Sequence, residues 1–324
     1  MQLLRQGLAS TVGLNIGCPN AEQHPSTIGS TSKNAGPHTS RQREDPLLTD
    51  SVQWIASYPR SGNTWLRFLV INCLVDHQFD WETAMNCFAF ELYYYLSKMR
   101  TDGWTEHQTL EVLRSVVRNQ PTREHIGDRV YLKTHNAWTP EHPFGRYADR
   151  ALLIVRDPRD VLLSAVNFHK LTRDADADPV AYAHRYIEHG SDPAWINAGY
   201  GTWYDHYRSW TAQADFPVHV VRYETLKTDP VPALLQLCDF LGFEVSQADA
   251  ERAVERTALA KLQDVERKAR ADGSFGGLNE GYQFFNKGQS GQSLDDLEPG
   301  LDDLFEQKFA SELAELGYAR SARS

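Results

Sequence analysis

One strand–turn–helix unit limits the possible folds more than any other stretch of the sequence. "VQWIASYP" (52–59) is a short apolar run of the kind that forms a buried strand, and "NTWLRFLVINCLVD" (63–76) carries apolar residues near helical spacing. Between them lies "YPRSGNTW" (58–65), a turn of small polar residues with one arginine. A buried strand that leads directly into a buried helix is the building unit of an α/β fold.

The same alternation continues along the chain. Further strands are predicted for "VYLKTH" (130–135), "ALLIVRDP" (151–158) and "VHVVRYET" (218–225). Helices are predicted for "RDVLLSAVNFHKL" (159–171), with Asp157 as N-cap and Pro158 at the first position, and for "PVPALLQLCDFLGF" (230–243). Apolar strands that alternate with helices predict an α/β fold with a central parallel sheet and helices on both faces.

The remaining segments are less regular. Residues 172–217 are predicted to be mostly helical, and a final helix is predicted over about 301–317. Residues 271–293 are rich in glycine and lack periodicity, which predicts a long loop that is mobile without a ligand. The first 50 residues contain no Phe, Trp or Tyr, so they are predicted to be a disordered or loosely attached tail. A targeting segment is the alternative for this tail, and 51–324 is predicted to be one domain.

Composition narrows the cell compartment and the partners. The four cysteines, Cys18, Cys73, Cys87 and Cys238, show no CxxC pair, and two of them lie in apolar helical patterns. This indicates buried thiols in a reducing, cytoplasmic protein. A net charge of −10 argues against nucleic-acid binding, although a local basic pocket can still bind an anion. No apolar run is long enough to predict a membrane span.

Polar residues follow each predicted strand, and the carboxyl ends of parallel strands meet at one edge of a sheet. In the turn 58–65, Gly62 allows close backbone approach, the helix start offers free N–H groups, and Arg60 adds a cation. These features predict an anion site, and an ordinary strand-to-helix turn is the alternative.

Two further stretches add to this site. Arg156 ends a strand and Ser164 follows two helical turns later, a spacing that suits a second phosphate, unless Arg156 pairs with Asp160 instead. Lys133 and His135 lie two residues apart at a strand end and therefore face the same side. A cation beside an imidazole suits proton removal with charge neutralisation. No metal-binding motif is present, so no metal is predicted.

Taken together, these stretches over about 51–293 resemble sulfotransferases that use 3'-phosphoadenosine 5'-phosphosulfate (PAPS), and most closely the bacterial type, similar to the glycopeptide and cytosolic members. "YPRSGNTW" resembles the family's 5'-phosphosulfate loop, "RDPRDVLLS" its 3'-phosphate motif and "LKTH" its catalytic segment. "VRYETLKTDP" and "FNKGQSGQ" resemble its tyrosine segment and its glycine loop. The resemblance implies a P-loop-like nucleotide-binding fold and sulfuryl transfer to an acceptor hydroxyl.

The resemblance also implies a role for individual residues. His135 is implied as the general base, with Lys133 and Arg60 beside the transferring group. The residues implied to bind PAPS, or its product adenosine 3',5'-bisphosphate, are Arg60, Ser61, Gly62, Asn63, Thr64, Trp65, Arg156, Ser164, Tyr223, Thr257, Lys287 and Gly288. Two positions depart from the family pattern: Arg60 stands where a lysine is usual, and Asn286 stands where an arginine is usual.

Several questions stay open at the level of sequence. A small-molecule kinase and a non-catalytic nucleotide-binding protein are the alternative functions. The acceptor can be a small molecule or a glycan, and the aromatic stretch "CFAFELYYYLSKM" (87–99) is either its pocket or core. The dimer motif of the family is not found near the C-terminus, so a homodimer is possible and not established.

Overall fold

The computed structural model describes residues 51–77, 80–86, 89–90, 129–142, 144–172, 178–275 and 281–320, together with Thr105, Gln108, Leu110 and Ile126. The predicted tail (1–50) lies outside these residues. So does the aromatic stretch 87–99, apart from its residues 89 and 90. Within the described residues, the longest helix has 15 residues, and none combines the length and apolar character needed to cross a membrane.

A parallel sheet of five strands forms the centre of the described fold. The strands are β1 (Val52–Ser57), β2 (Ala89–Phe90), β3 (Val130–Thr134), β4 (Ala148–Val155) and β5 (Val218–Arg222). Their order across the sheet is β2-β3-β1-β4-β5, and all four pairings are parallel. β1 is therefore central, and the turn that follows it lies in the middle of the carboxyl edge. The predicted α/β fold class is confirmed.

Helices connect and flank the strands of the described chain. They are α1 (Asn63–Leu74), α2 (Trp81–Asn86), α3 (Pro158–Thr172), α4 (Pro179–His189), α5 (Pro193–Asn197), α6 (Trp203–Thr211), α7 (Tyr223–Thr228), α8 (Pro230–Leu241), α9 (Gln247–Arg256), α10 (Leu259–Asp272), α11 (Leu301–Lys308) and α12 (Ala310–Leu316). Short 3₁₀ turns lie at Gly145–Tyr147 and Leu294–Asp296. Asp157 Oδ1 accepts from the backbone N–H of Arg159 at 2.9 Å, as expected for the N-cap of α3.

Both faces of the sheet are buried, which explains the nearly continuous apolar character of the strands. Along β1, Trp54 faces one cluster with α6, and its neighbour Ile55 faces another cluster with α1, α8, α9 and α10. A third cluster joins α3, α4, α6, α11 and α12. Cys73 on α1 and Cys238 on α8 are buried free thiols, as predicted.

Three boundaries differ from the sequence prediction. β5 ends at Arg222, and Tyr223 is the first residue of α7, because its ring packs against the turn after β1 instead of continuing the ladder. The final helix is interrupted at Phe309, whose backbone (φ −118°, ψ 26°) is not helical and whose ring packs into the third cluster. The predicted loop 271–293 begins later, since α10 continues to Asp272 and ends at the left-handed Gly273.

Candidate active site

The polar residues that follow the strands border one cleft of about 890 Å³ at the carboxyl edge of the sheet. Thirteen described residues that the sequence analysis singled out line it: Arg60, Gly62, Asn63, Thr64, Trp65, Lys133, His135, Arg156, Ser164, Tyr223, Thr257, Lys287 and Gly288. They come from β3, α1, α3, α7, the end of α9 and four connecting segments. The structure therefore brings together residues that are up to 228 positions apart in the chain.

The turn after β1 approaches its neighbours too closely for any side chain at Gly62. Its φ is +101°, and a Cβ there would lie 2.6 Å from Cδ2 of Tyr223. α1 begins at the next residue, and the Asn63 side chain donates to the carbonyl of Ile55 at 3.3 Å, which ties the helix start to β1. The first amides of α1 have no acceptor within the helix and border the cleft, so they can bind an anion.

Ser61 is the one predicted site residue that does not border this cleft. Its amide donates to the carbonyl of Tyr58 at 3.3 Å, and its buried side chain lines a separate cavity of about 20 Å³. The amide is engaged because it closes the turn, a constraint that the sequence motif does not reveal. The prediction that the Ser61 amide takes part in anion binding is therefore not supported by this arrangement.

Arg60 adopts a strained backbone conformation in the same turn. It is the one non-glycine residue with positive φ, at +68°, in the part of the chain that the structure describes. Its guanidinium lies between the rings of Phe168 and Phe284, 4.8 Å from each centroid, and Nε donates to Ser164 Oγ at 3.0 Å. Desolvation and the nearby Arg156 lower the pKa of Arg60 to about 10, so the group stays charged at neutral pH.

Arg156 joins the turn after β1 to the loop before the 3₁₀ turn at Leu294. Its Nη1 donates to the carbonyl of Arg60 at 3.2 Å, and its Nη2 donates to the carbonyl of Gln289 at 2.7 Å. Its Cζ lies 4.4 Å from the centroid of Tyr223, and its buried Nε has no partner among the described residues. The alternative pairing with Asp160 is wrong, because that carboxylate accepts from Gly291 and Gln292.

Aromatic side chains line another part of the cleft. The ring of Trp65 meets that of Tyr223 edge-on, with centroids 5.3 Å apart. The Thr257 hydroxyl donates to the carbonyl of Ala253 at 2.8 Å, so this residue presents mainly its methyl group to the cleft. Lys287 is exposed at the rim, and the carbonyl of Gly288 accepts from Lys227 Nζ.

The backbone of β1 determines which nitrogen of His135 carries the proton. Nδ1 lies 2.7 Å from the carbonyl of Ser57 and 3.1 Å from its hydroxyl. A carbonyl only accepts, so Nδ1 carries the proton and Nε2 keeps its lone pair. Desolvation, followed by the charge of Lys133, lowers the pKa of His135 well below 6.5. The imidazole is therefore neutral at physiological pH and able to accept a proton.

Sequence reasoning missed several residues of the cleft. Tyr200 lies edge-on to His135 with ring centroids 5.8 Å apart, and Trp195 also lines the cleft. Both come from the region 172–217, which the sequence predicts only as mostly helical. Lys170 and Lys227 also line the cleft. The sequence could have indicated Lys227 as a cleft residue, because it lies in the stretch "VRYETLKTDP", which resembles a nucleotide-binding segment of the family.

The charge of the cleft differs from that of the chain as a whole. Six of its lining residues are cationic: Arg60, Lys133, Arg156, Lys170, Lys227 and Lys287. No Asp or Glu among the described residues lines it, although the net charge of the chain is −10. Such a surface fits a polyanion. In the described part of the chain, no three His, Cys, Asp or Glu side chains are grouped as a metal site would require.

Comparison with known proteins agrees with this fold. The family model described as "Sulfotransferase domain" matches residues 50–317. The chain therefore belongs to the sulfotransferase domain family, which is a family of transferases.

Curated relatives in this family are distant. Sulfotransferase 2A2 of Rattus norvegicus is 27% identical over 211 residues, which are 62% of this chain and 60% of that protein. Sulfotransferase 2A1 of Macaca fascicularis is 22% identical over 278 residues, covering 85% of this chain and 88% of that protein. The match to the rat protein thus spans less than two thirds of its length.

Solved structures show the same fold. Retinol dehydratase, solved with androsterone and the inactive cofactor PAP, has a TM-score of 0.59 and 18% identity, covering 82% of this chain and 81% of that one. Mouse sulfotransferase SULT7A1, solved with PAP, has a TM-score of 0.53 and 19% identity, covering 83% and 87%. The predicted family and fold are confirmed.

Proposed function

We propose that this protein transfers a sulfuryl group from PAPS to an acceptor hydroxyl, with His135 as general base. The observation that carries the proposal is a cleft lined by six cations and a neutral imidazole, with no carboxylate among its described lining residues. Family membership and the titles of the two solved neighbours, which name PAP, support the same nucleotide.

The nucleotide would lie with its charged groups on two helix starts. The amides of Gly62, Asn63 and Thr64 and the Arg60 side chain bind the 5' group at the start of α1. Arg156 and Ser164 bind the 3'-phosphate, and the unpartnered Nε of Arg156 supports this role. Trp65 and Tyr223, with Thr257 beside them, hold the adenine, and Lys287 and Gly288 cover the phosphate.

The reaction needs a base and fixed positive charge. When bound, PAPS supplies the sulfuryl group: the acceptor oxygen forms a bond to sulfur as the bond from sulfur to the 5'-phosphate oxygen breaks, leaving adenosine 3',5'-bisphosphate. His135 Nε2 takes the proton of the acceptor hydroxyl. Lys133 and Arg60 stabilise the charge that grows on the leaving phosphate.

The acceptor is proposed only as a class. The rings of Trp195, Tyr200 and Phe168 line the cleft, and that of Tyr200 lies beside His135, which supports a small molecule or glycan with a flat or apolar face. The titles of the structural neighbours name androsterone and retinol. A cytoplasmic location, a homodimer and a single domain over 51–324 stay predictions.

The test is an acceptor screen with PAPS carrying labelled sulfate, performed with a chelator and without added magnesium. Transfer of label to a hydroxyl compound, with release of adenosine 3',5'-bisphosphate, is the expected result. Transfer of phosphate from ATP that depends on magnesium would favour the kinase alternative. Tight bisphosphate binding without turnover across phenols, alcohols and glycans would favour a non-catalytic binding protein.

A further inference from the structure

Two buried carboxylates hold the loop that borders the nucleotide end of the cleft. We define this loop, Phe284 to Gln292, as the strap. It contains Lys287, Gly288 and Gln289, which line the cleft. Each end of the strap presents two consecutive backbone amides to one carboxylate, and the two carboxylates lie on different helices, α10 and α3.

Asp160 holds the C-terminal end of the strap. Its side chain lies in the first turn of α3 and is fully buried, with a residue exposure of 0%. The Gly291 amide donates to it at 2.8 Å, the Gln292 amide at 3.1 Å and the Gln292 side chain at 3.3 Å. A carboxylate that has lost its water needs such donors, and charge-assisted bonds to backbone amides are strong.

Glu266 holds the N-terminal end in the same way. This buried residue of α10 accepts from the amide of Phe284 at 2.8 Å and from that of Phe285 at 2.9 Å. Arg270, one turn further along α10, donates to Glu266 Oε1 at 2.8 Å and compensates its charge. Gln263 donates to the carbonyl of Phe285 at 3.0 Å, so α10 binds both donors and acceptors of the strap.

Between these ends, the strap is linked to the candidate phosphate site. Arg156 donates to the carbonyl of Gln289, and Lys227 donates to that of Gly288. Phe284 packs over the guanidinium of Arg60, and its carbonyl accepts from Arg60 Nη2 at 3.5 Å. The position of the strap therefore determines where the two arginines of the cleft lie.

We propose that Asp160 and Glu266 are positioning residues that fix the strap, and through it Arg60 and Arg156, before any nucleotide binds. This inference rests on the proposed function only for the identity of the ligand that Arg60 and Arg156 bind. It replaces the sequence expectation of a loop that is mobile until the nucleotide orders it. A pre-formed site loses less conformational entropy on binding.

The first measurement uses the ligand-free protein and does not depend on function. In amide hydrogen exchange, the amides of Phe284, Phe285, Gly291 and Gln292 should be protected. Asp160→Asn should accelerate exchange at Gly291 and Gln292, because an amide side chain accepts more weakly and brings its own donors. Exchange of these four wild-type amides at the rate of an unstructured peptide would overturn the proposal.

The second measurement separates positioning from general destabilisation. Asp160→Asn should weaken adenosine 3',5'-bisphosphate binding by about tenfold or more and leave AMP binding nearly unchanged, because Asp160 holds the end of the strap that contacts Arg156, whereas Arg60 contacts the end that Glu266 holds. The matched control is Asp192→Asn. Asp192 is also buried and accepts from the Ala194 amide at 2.7 Å, but it does not line the cleft and it holds the start of α5 instead of the strap. It should leave both affinities unchanged.

The outcomes are distinguishable from failure of the proposed function. Wild-type protein that binds both nucleotides equally would sink the proposed function, while the exchange data would still decide the state of the strap. If the wild type prefers the bisphosphate and Asp160→Asn keeps the full preference, the positioning role is wrong. A loss of preference in Asp160→Asn but not in Asp192→Asn supports it.

Discussion

At the scale of single residues, the carbonyl of Ser57 decides which nitrogen of His135 can take a proton. Because the end of a strand is rigid, this hydrogen bond fixes both the orientation of the ring and its tautomer. The lowered pKa keeps the imidazole neutral at physiological pH, but it also makes His135 a weaker base during proton transfer. The neighbouring Lys133 both lowers this pKa and lies where negative charge would grow.

Replacing His135 by alanine tests this role. Turnover should fall about 10²- to 10⁴-fold, the usual loss on removal of a positioned base. Bisphosphate affinity should stay the same, because His135 faces the acceptor side. His184→Ala, at an exposed residue that pairs with Glu298, is the control and should keep full turnover. Near-normal turnover of the His135→Ala enzyme would show that the base lies elsewhere.

The second residue-scale prediction concerns the turn after β1. Gly62→Ala combines a left-handed φ with a Cβ that would lie 2.6 Å from Tyr223, so it should destabilise the protein and weaken bisphosphate binding. Gly273→Ala has a similar φ of +81° but no heavy atom within 4 Å. It should cost only the strain, on the order of 1–3 kcal/mol, and leave binding unchanged. Chemical denaturation and calorimetry give both quantities, and equal effects of the two substitutions would contradict the close-approach argument.

At the scale of elements, the start of α3 depends on one carboxylate with two tasks. Asp157 caps the helix and also binds the buried guanidinium of Arg159 at 2.7 Å. Asp157→Ser keeps a capping oxygen and loses the ion pair, whereas Asp157→Ala loses both. Thermal or urea unfolding should therefore find the serine variant more stable by about 0.5–2 kcal/mol. Equal stability of the two variants would mean that the cap contributes nothing.

The elements also show what the sequence could and could not predict. The strand ends, the helix starts and their convergence follow from local patterns, because parallel strands in an α/β sheet share one carboxyl edge. The sequence predicts Tyr223 in a strand because it follows the β-branched run at Val220 and Val221, whereas in the structure it begins α7 and its ring packs against Gly62. Glu266 anchors the strap across 18 and 19 positions and Asp160 anchors it across 131 and 132 positions, separations that no local pattern records.

At the scale of the whole molecule, three neutral histidines make folding sensitive to acid. Burial lowers the pKa values of His142 and His206 to about 3, and that of His135 also falls well below 6.5. In the unfolded chain these groups take up protons as the pH falls through about 6.5, while in the folded state they do not. The unfolded state therefore binds more protons, and stability is lost as the pH falls from about 6.5 toward 3.

This loss can be measured from urea unfolding between pH 7 and pH 4.5. Each histidine contributes a slope of up to about 1.4 kcal/mol per pH unit, so three contribute up to about 4 kcal/mol per unit in acid. His206→Phe should reduce the slope by about one proton, whatever its effect on stability at pH 7. A slope that is equal in the wild type and His206→Phe would contradict the pKa argument.

The central claim is that the cleft selectively binds a nucleotide with a 3'-phosphate. The most direct test is to measure the affinities for adenosine 3',5'-bisphosphate and for AMP separately by titration calorimetry. Arg156 and Ser164 contact only the group that distinguishes the two ligands in this account. The wild type should bind the bisphosphate at least about tenfold more tightly, equivalent to roughly 1.4 kcal/mol, and Arg156→Ala should abolish most of that preference. Equal affinities in the wild type, or a preference that survives in Arg156→Ala, would contradict the account.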